Sequence, residues 1–173
     1  MTAPDPSAPD QTDPRPTDGV RPRAPLARGA RVRLVAYVLW VCVVWGHSLV
    51  QGEASSAESG LVVGVLRPLF ELVGVTDTDV MGLVVRKCAH FCEYAVLAAL
   101  GRALFSRLRE ERGLPAWAGV AAVVLVPVAD ETIQLFVPGR SGSPVDVCLD
   151  LAGAATGALL SWAWARWRRP GQR

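Results

Sequence analysis

The sequence predicts an all-α membrane protein: four transmembrane helices, a short interfacial or re-entrant helix between the first and second, and both termini cytoplasmic. Three observations carry that expectation. The runs Leu34–Val50, Leu83–Phe105, Leu114–Val137 and Val145–Ala165 are each apolar and near the length of a bilayer span. They are separated by polar or turn-rich stretches. Finally, of the 18 basic residues, all but Arg67, Arg86, Lys87 and Arg140 lie in the N-terminal tail, the stretch between the second and third runs, or the C-terminal tail. Those three regions share one side when four spans alternate, and the positive-inside rule makes that side the cytoplasm.

Composition supports the class. A mean hydropathy of +0.29 with 51% hydrophobic residues is high for 173 residues whose first thirty are largely Pro, Asp, Thr and Arg. The chain divides into a disordered Pro/Arg-rich cytoplasmic tail at 1–30, a four-helix membrane domain at 31–167 and a basic tail at 168–173. The tail does not fit a signal peptide, which sets a short basic stretch directly before an apolar core. Cys42, Cys88, Cys92 and Cys148 sit inside apolar runs without the spacing of a zinc site or a disulfide framework, and read as helix packers. The arginines lie beside spans, where topology explains them, so no nucleic-acid partner is expected.

Taken in order, Arg21, Arg23, Arg28, Arg31 and Arg33 lead into the first span. Gln51–Ser59 reads as a polar loop. Leu61–Val75 is apolar but only fifteen residues long and carries Arg67, Pro68 and Glu71, which suits an interfacial or re-entrant segment. Thr76-Asp77-Thr78-Asp79 offers helix N-caps before the second span. Arg102, Arg107, Arg109 and Arg112 follow it, around Gly113. The third span ends in Asp130, Glu131 and Gln134, and Pro138–Pro144 is a tight loop. The fourth carries Asp146, Asp150, Gly153 and Gly157 on one stripe, and the Gly-x-x-x-Gly pair permits close helix approach. The six tryptophans read as interface anchors.

The second span holds the most unusual stretch. Arg86, Lys87 (the only lysine), His90, Glu93 and Tyr94 occupy an arc of roughly 120° on a helix otherwise apolar. Lipid cannot solvate such a stripe, so it must face protein or a wet cavity. In the expected topology His90 and Glu93, Asp130, Glu131 and Gln134, and Arg140 and Asp146 reach one depth near the outer face. They are expected to converge.

These residues carry a family resemblance. Lys87-x-x-His90-Phe91-x-Glu93-Tyr94, Asp130-Glu131-x-x-Gln134-x-Phe136-x-Pro138-Gly139-Arg140 and Asp146-Val147 resemble the VanZ-like family, as do Ser48-x-x-Gln51-Gly52-Glu53-x-Ser55-Ser56 and the glycine-bearing last span. The similarity runs from about residue 32 to 165. Asp150 stands where the family usually has an asparagine, adding a negative charge. The resemblance implies a small multi-pass protein of the bacterial cell envelope, in a family whose namesake is associated with resistance to the glycopeptide teicoplanin. It leaves the molecular activity open.

Three readings of the polar cluster stay open. In the first, Lys87, His90, Glu93, Asp130, Glu131, Gln134, Arg140 and Asp146 form a pocket for an anionic envelope lipid, a lipid-linked wall precursor or a glycopeptide, with Arg86 adding charge. In the second, the residues are a buried network holding helices together. In the third, His90 acts as base or nucleophile in a hydrolase or phosphate-transfer enzyme, with Glu93, Asp130 and Glu131 as further catalytic candidates. His90-x-x-Glu93 also matches a metal-ligand spacing, but only one histidine is available there, since His47 reads as a helix-end residue. No metal or other cofactor is assigned.

Overall fold

The computed structural model describes residues 24–50, 52–140 and 142–168. It is all-helical over those residues, with five helices: α1 (Arg28–Ser48), α2 (Gly52–Leu72), α3 (Thr78–Arg112), α4 (Ala116–Gln134) and α5 (Pro144–Trp167). The expectations for residues 1–23 and 169–173 lie outside the described residues.

The helix ends follow local chemistry. Asp77 caps α3, its carboxylate accepting from the Asp79 and Val80 amides at 2.8 and 3.5 Å. Gly113, at φ 67°, closes the same helix in the left-handed region that suits glycine. Ser143 caps α5, and Pro144 takes the first helical position, where its missing N–H costs nothing.

Two expectations change. The stretch read as a polar loop is helical from Gly52 onward, with Gln51 outside the described residues. Glu53, Ala54, Ala57 and Glu58 supply helix propensity there, and no proline precedes Pro68. The short interfacial segment is thus the second half of a 21-residue helix. Second, three helices, α1, α4 and α5, are long and apolar enough to cross a membrane. The helix containing the expected second span, α3, is not among them. It has 35 residues, and Arg86, Lys87, His90, Glu93 and Arg102 interrupt its apolar length.

Despite those charges, α3 is the centre of the bundle and packs on each of the other four helices. Its closest neighbour is α5, and glycine makes that approach possible. A Cβ built on Gly153 would collide with the Phe91 carbonyl, and one on Gly157 with the backbone of Ala95. The buried core runs through Tyr37 and Val44 of α1, Tyr94, Leu97, Ala98 and Leu104 of α3, Val126 of α4 and Ala154 of α5. Tyr37 meets Phe105 edge-on, with centroids 6.1 Å apart. The outside is apolar: Leu39, Val65, Leu125 and Leu160 are 61–79% exposed, a surface that lipid tails would cover.

Helices α1 and α3 run antiparallel. At one end the Ala27 amide donates to Glu111 (3.2 Å), and Arg112 reaches the Ala24 carbonyl. At the other end of α1, His47 meets Glu93. Residues 93–112 of α3 therefore lie beside α1. The preceding fifteen residues, Thr78 to Cys92, continue past it by about 22 Å at 1.5 Å per residue. Arg67 of α2 donates to Thr78 there.

Tryptophan has two uses. Trp162, Trp164 and Trp167 are exposed at the end of α5, with Arg166 and Arg168 over two of the rings. Trp40 and Trp45 of α1 instead turn inward, donating to the carbonyls of Glu93 (2.9 Å) and Val126 (3.5 Å). They tie α1 to α3 and α4.

Candidate functional site

The glycine seam sets the site. Because α3 and α5 touch through backbone at Gly153 and Gly157, the residues one and two turns earlier on α5 face Lys87 and His90. Lys87 Nζ forms an ion pair with Asp146. His90 Nδ1 lies 3.9 Å from Asp150 Oδ1, and Asp150 is only 1% exposed.

The end of α4 supplies the third wall. Asp130 is fully buried, and its Oδ2 accepts from the Gln134 side-chain amide at 3.3 Å. The same amide donates to Ser48 of α1 at 3.2 Å, so Gln134 fixes Asp130 against two helices. Glu131 accepts from the Ser143 backbone amide at 2.9 Å, which ties the α4–α5 loop down. Gly142 is required there, because a Cβ would strike the Glu131 carbonyl. Arg140, carried on this loop, donates to the His47 carbonyl at 3.4 Å.

These side chains surround a cavity of about 150 Å³. Arg86, Lys87 and His90 line it from α3, Glu131 and Gln134 from α4, Arg140 from the loop, and Asp146 and Asp150 from α5. A second cavity of about 200 Å³ adjoins it on the α1–α2 side and shares Arg86, His90 and Arg140. Glu93 faces that second space, where its carboxylate is 2.6 Å from His47 Nδ1.

Of the residues expected to converge, Lys87, His90, Glu131, Gln134, Arg140 and Asp146 therefore ring one cavity, and Asp130 sits beside His90 and Asp150. Glu93 is turned toward His47 and the neighbouring cavity. The polar arc of α3 is wide enough to serve both spaces. Three participants lie outside the predicted pocket: His47, read as a helix-end residue, pairs with Glu93; Ser48, part of the family-like motif, is buried against Gln134; and Asp150, noted on the α5 stripe, faces His90. Asp150 carries the clearest signal, as an acid inside an apolar run four residues after Asp146.

Several buried polar atoms here have no hydrogen-bond partner of normal length among the described residues: His90 Nδ1, Asp150 Oδ2, and Asp130 Oδ1 with the Tyr94 hydroxyl beside Asp130. Chemically, the site offers cations at its mouth and buried carboxylates and an imidazole behind them. No hydroxyl or thiol nucleophile is held against His90 among the hydrogen bonds of the described residues.

No curated protein and no solved structure matches the chain. The VanZ/LLP1 family model, by contrast, matches residues 33–165, from the first turns of α1 almost to the end of α5, and takes in every side chain of the site. With its three apolar helices of spanning length, the chain is a membrane protein that belongs to the VanZ/LLP1 family.

Proposed function

We propose that this protein binds the anionic headgroup of an envelope lipid or lipid-linked wall precursor in the cavity between α3, the α4–α5 loop and α5. The observation that carries the reading is the convergence of Arg86, Lys87 and Arg140 on one cavity. Guanidinium groups present a planar fork suited to phosphate, and lysine adds a point charge. The volume of about 150 Å³ suits a phosphate-sized group, with a glycopeptide body or lipid chain left outside. Through competition for such a headgroup or precursor, the protein would alter susceptibility to glycopeptides such as teicoplanin.

The same reading takes α3 as a fourth span, with both termini in the cytoplasm and the cavity facing outward. The basic residues at the ends of α3 and α5, opposite the cavity, support that orientation. With the native cysteines replaced, cysteine at Pro138 should label from outside whole cells, and cysteine at Arg109 should not. The reverse pattern reverses the orientation.

Binding is tested with a fluorescent polyprenyl phosphate and protein in neutral-lipid nanodiscs. Arg140→Ala should weaken binding at least tenfold and Arg140→Lys should restore little, because a point charge does not reproduce the fork. Equal binding by all three proteins would refute the reading.

A further inference from the structure

We propose that His90, Asp130 and Asp150 form a binding site for a divalent transition-metal ion behind the headgroup cavity. Each residue offers one ligand atom, and the three atoms lie within 4.8 Å of one another. They come from α3, α4 and α5 respectively, so an ion there would join three helices.

The state of the ligand atoms carries the inference. Asp130 is 0% exposed and Asp150 is 1% exposed, yet Asp130 Oδ1, Asp150 Oδ2 and His90 Nδ1 have no hydrogen-bond partner of normal length among the described residues. A buried polar atom without a partner is costly, and a buried carboxylate oxygen more so. Here the three residues that carry such atoms come from three helices, and one ligand atom of each lies within 4.8 Å of the others. Once deprotonated, two carboxylates beside a neutral imidazole would carry two negative charges, which one dication cancels.

The surroundings resemble a supporting shell for a metal site. Gln134 holds the other oxygen of Asp130 and is itself fixed to Ser48, which orients the carboxylate that would bind the ion. The glycine seam fixes Asp150 against α3. Lys87, the nearest ammonium on α3, is engaged by Asp146. One nitrogen and two oxygens form a mixed donor set suited to Mn²⁺ or Zn²⁺; Ca²⁺ demands six to eight oxygens. Three protein ligands leave positions open toward the cavity, since His90 and Asp150 line it.

The site does not depend on the headgroup reading, and its test uses no anionic lipid. Full-length protein in a neutral, phosphate-free detergent is stripped with chelator and titrated with Mn²⁺. Manganese is chosen because the exposed cysteines would compete for zinc. Electron paramagnetic resonance should show one bound Mn²⁺ per chain. Echo-modulation spectra should show coupling to an imidazole nitrogen that disappears in His90→Gln and persists in His47→Gln. Asp150→Asn, nearly the same shape, should weaken binding at least tenfold while the metal-free protein keeps its melting temperature and elution volume. Asp130→Asn serves if Asp150→Asn does not fold. Absence of bound Mn²⁺ at millimolar concentration, or a nitrogen coupling that survives His90→Gln, would overturn the assignment.

Discussion

Arg102 and His90 lie on the same helix, three turns apart, and both face α5, but their polar needs are met differently. Arg102 donates to the Ser161 hydroxyl at 2.6 Å and to the Ser161 carbonyl at 2.7 Å, a charge enclosed by hydrogen bonds from the adjacent helix. His90 meets Asp150 at 3.9 Å, and around the pair remain buried atoms with no partner. The fold can therefore satisfy a half-buried charge internally, and does so at one end of the α3–α5 interface. Open valences at the other end mark the place where something outside the chain completes the structure.

The comparison breaks most severely if the seam that aligns both pairs is forced apart. Gly157→Leu drives a side chain into the Ala95 backbone, which cannot yield as a flexible side chain would. We expect a loss of folded, monodisperse protein on gel filtration, beyond the 1–3 kcal/mol or so usual for overpacking. A well-folded variant would mean that α3 and α5 are not held in backbone contact.

Arg102→Ala is the next largest. Removing a guanidinium bonded twice to Ser161 should lower stability by about 2–3 kcal/mol, read as a drop in melting temperature in detergent. Headgroup and Mn²⁺ binding should be retained by the fraction that remains folded. Loss of either ligand with unchanged stability would show that the two ends are not separate in role.

Glu93→Gln should have the smallest effect. Its partner His47 is 58% exposed in its side chain, so solvent screens the pair, and the cost should be at most about 1 kcal/mol. Denaturant titration is the suitable measurement. A destabilisation as large as that of Arg102→Ala would place Glu93 in the buried cluster after all.

What is legible in the sequence is which charged residues share one end of the bundle. Apolar run length gave the positions of α1, α4 and α5 to within a few residues, except that α1 begins at Arg28 and ends at Ser48. Alternation of the spans brought His90, Asp130 and Arg140 to one level. Rotation about each helix axis was not legible. The arc from Glu93 to Lys87 is continuous on a helical wheel, and only the placement of α1 divides it between two cavities. Asp150 was visible as an anomaly, but its role depends on how close α5 comes to α3, which rests on glycines one and two turns away. The helical start of α2 is hidden by serine and glycine, which favour turns, although the alanines and glutamates among them favour a helix.

The length of α3 has a mechanical consequence. At 35 residues it is about 52 Å long, well beyond a hydrocarbon core of about 30 Å, and it contains no proline. It is a single strut without a joint. A tilt imposed at the Arg86–Lys87 end would be passed toward the Arg109–Arg112 end, since the one glycine between them, Gly101, is packed against the Tyr37 ring. A group bound in the cavity would therefore pull on a lever whose far arm carries the contacts from Arg112 to Ala24 and from Glu111 to Ala27.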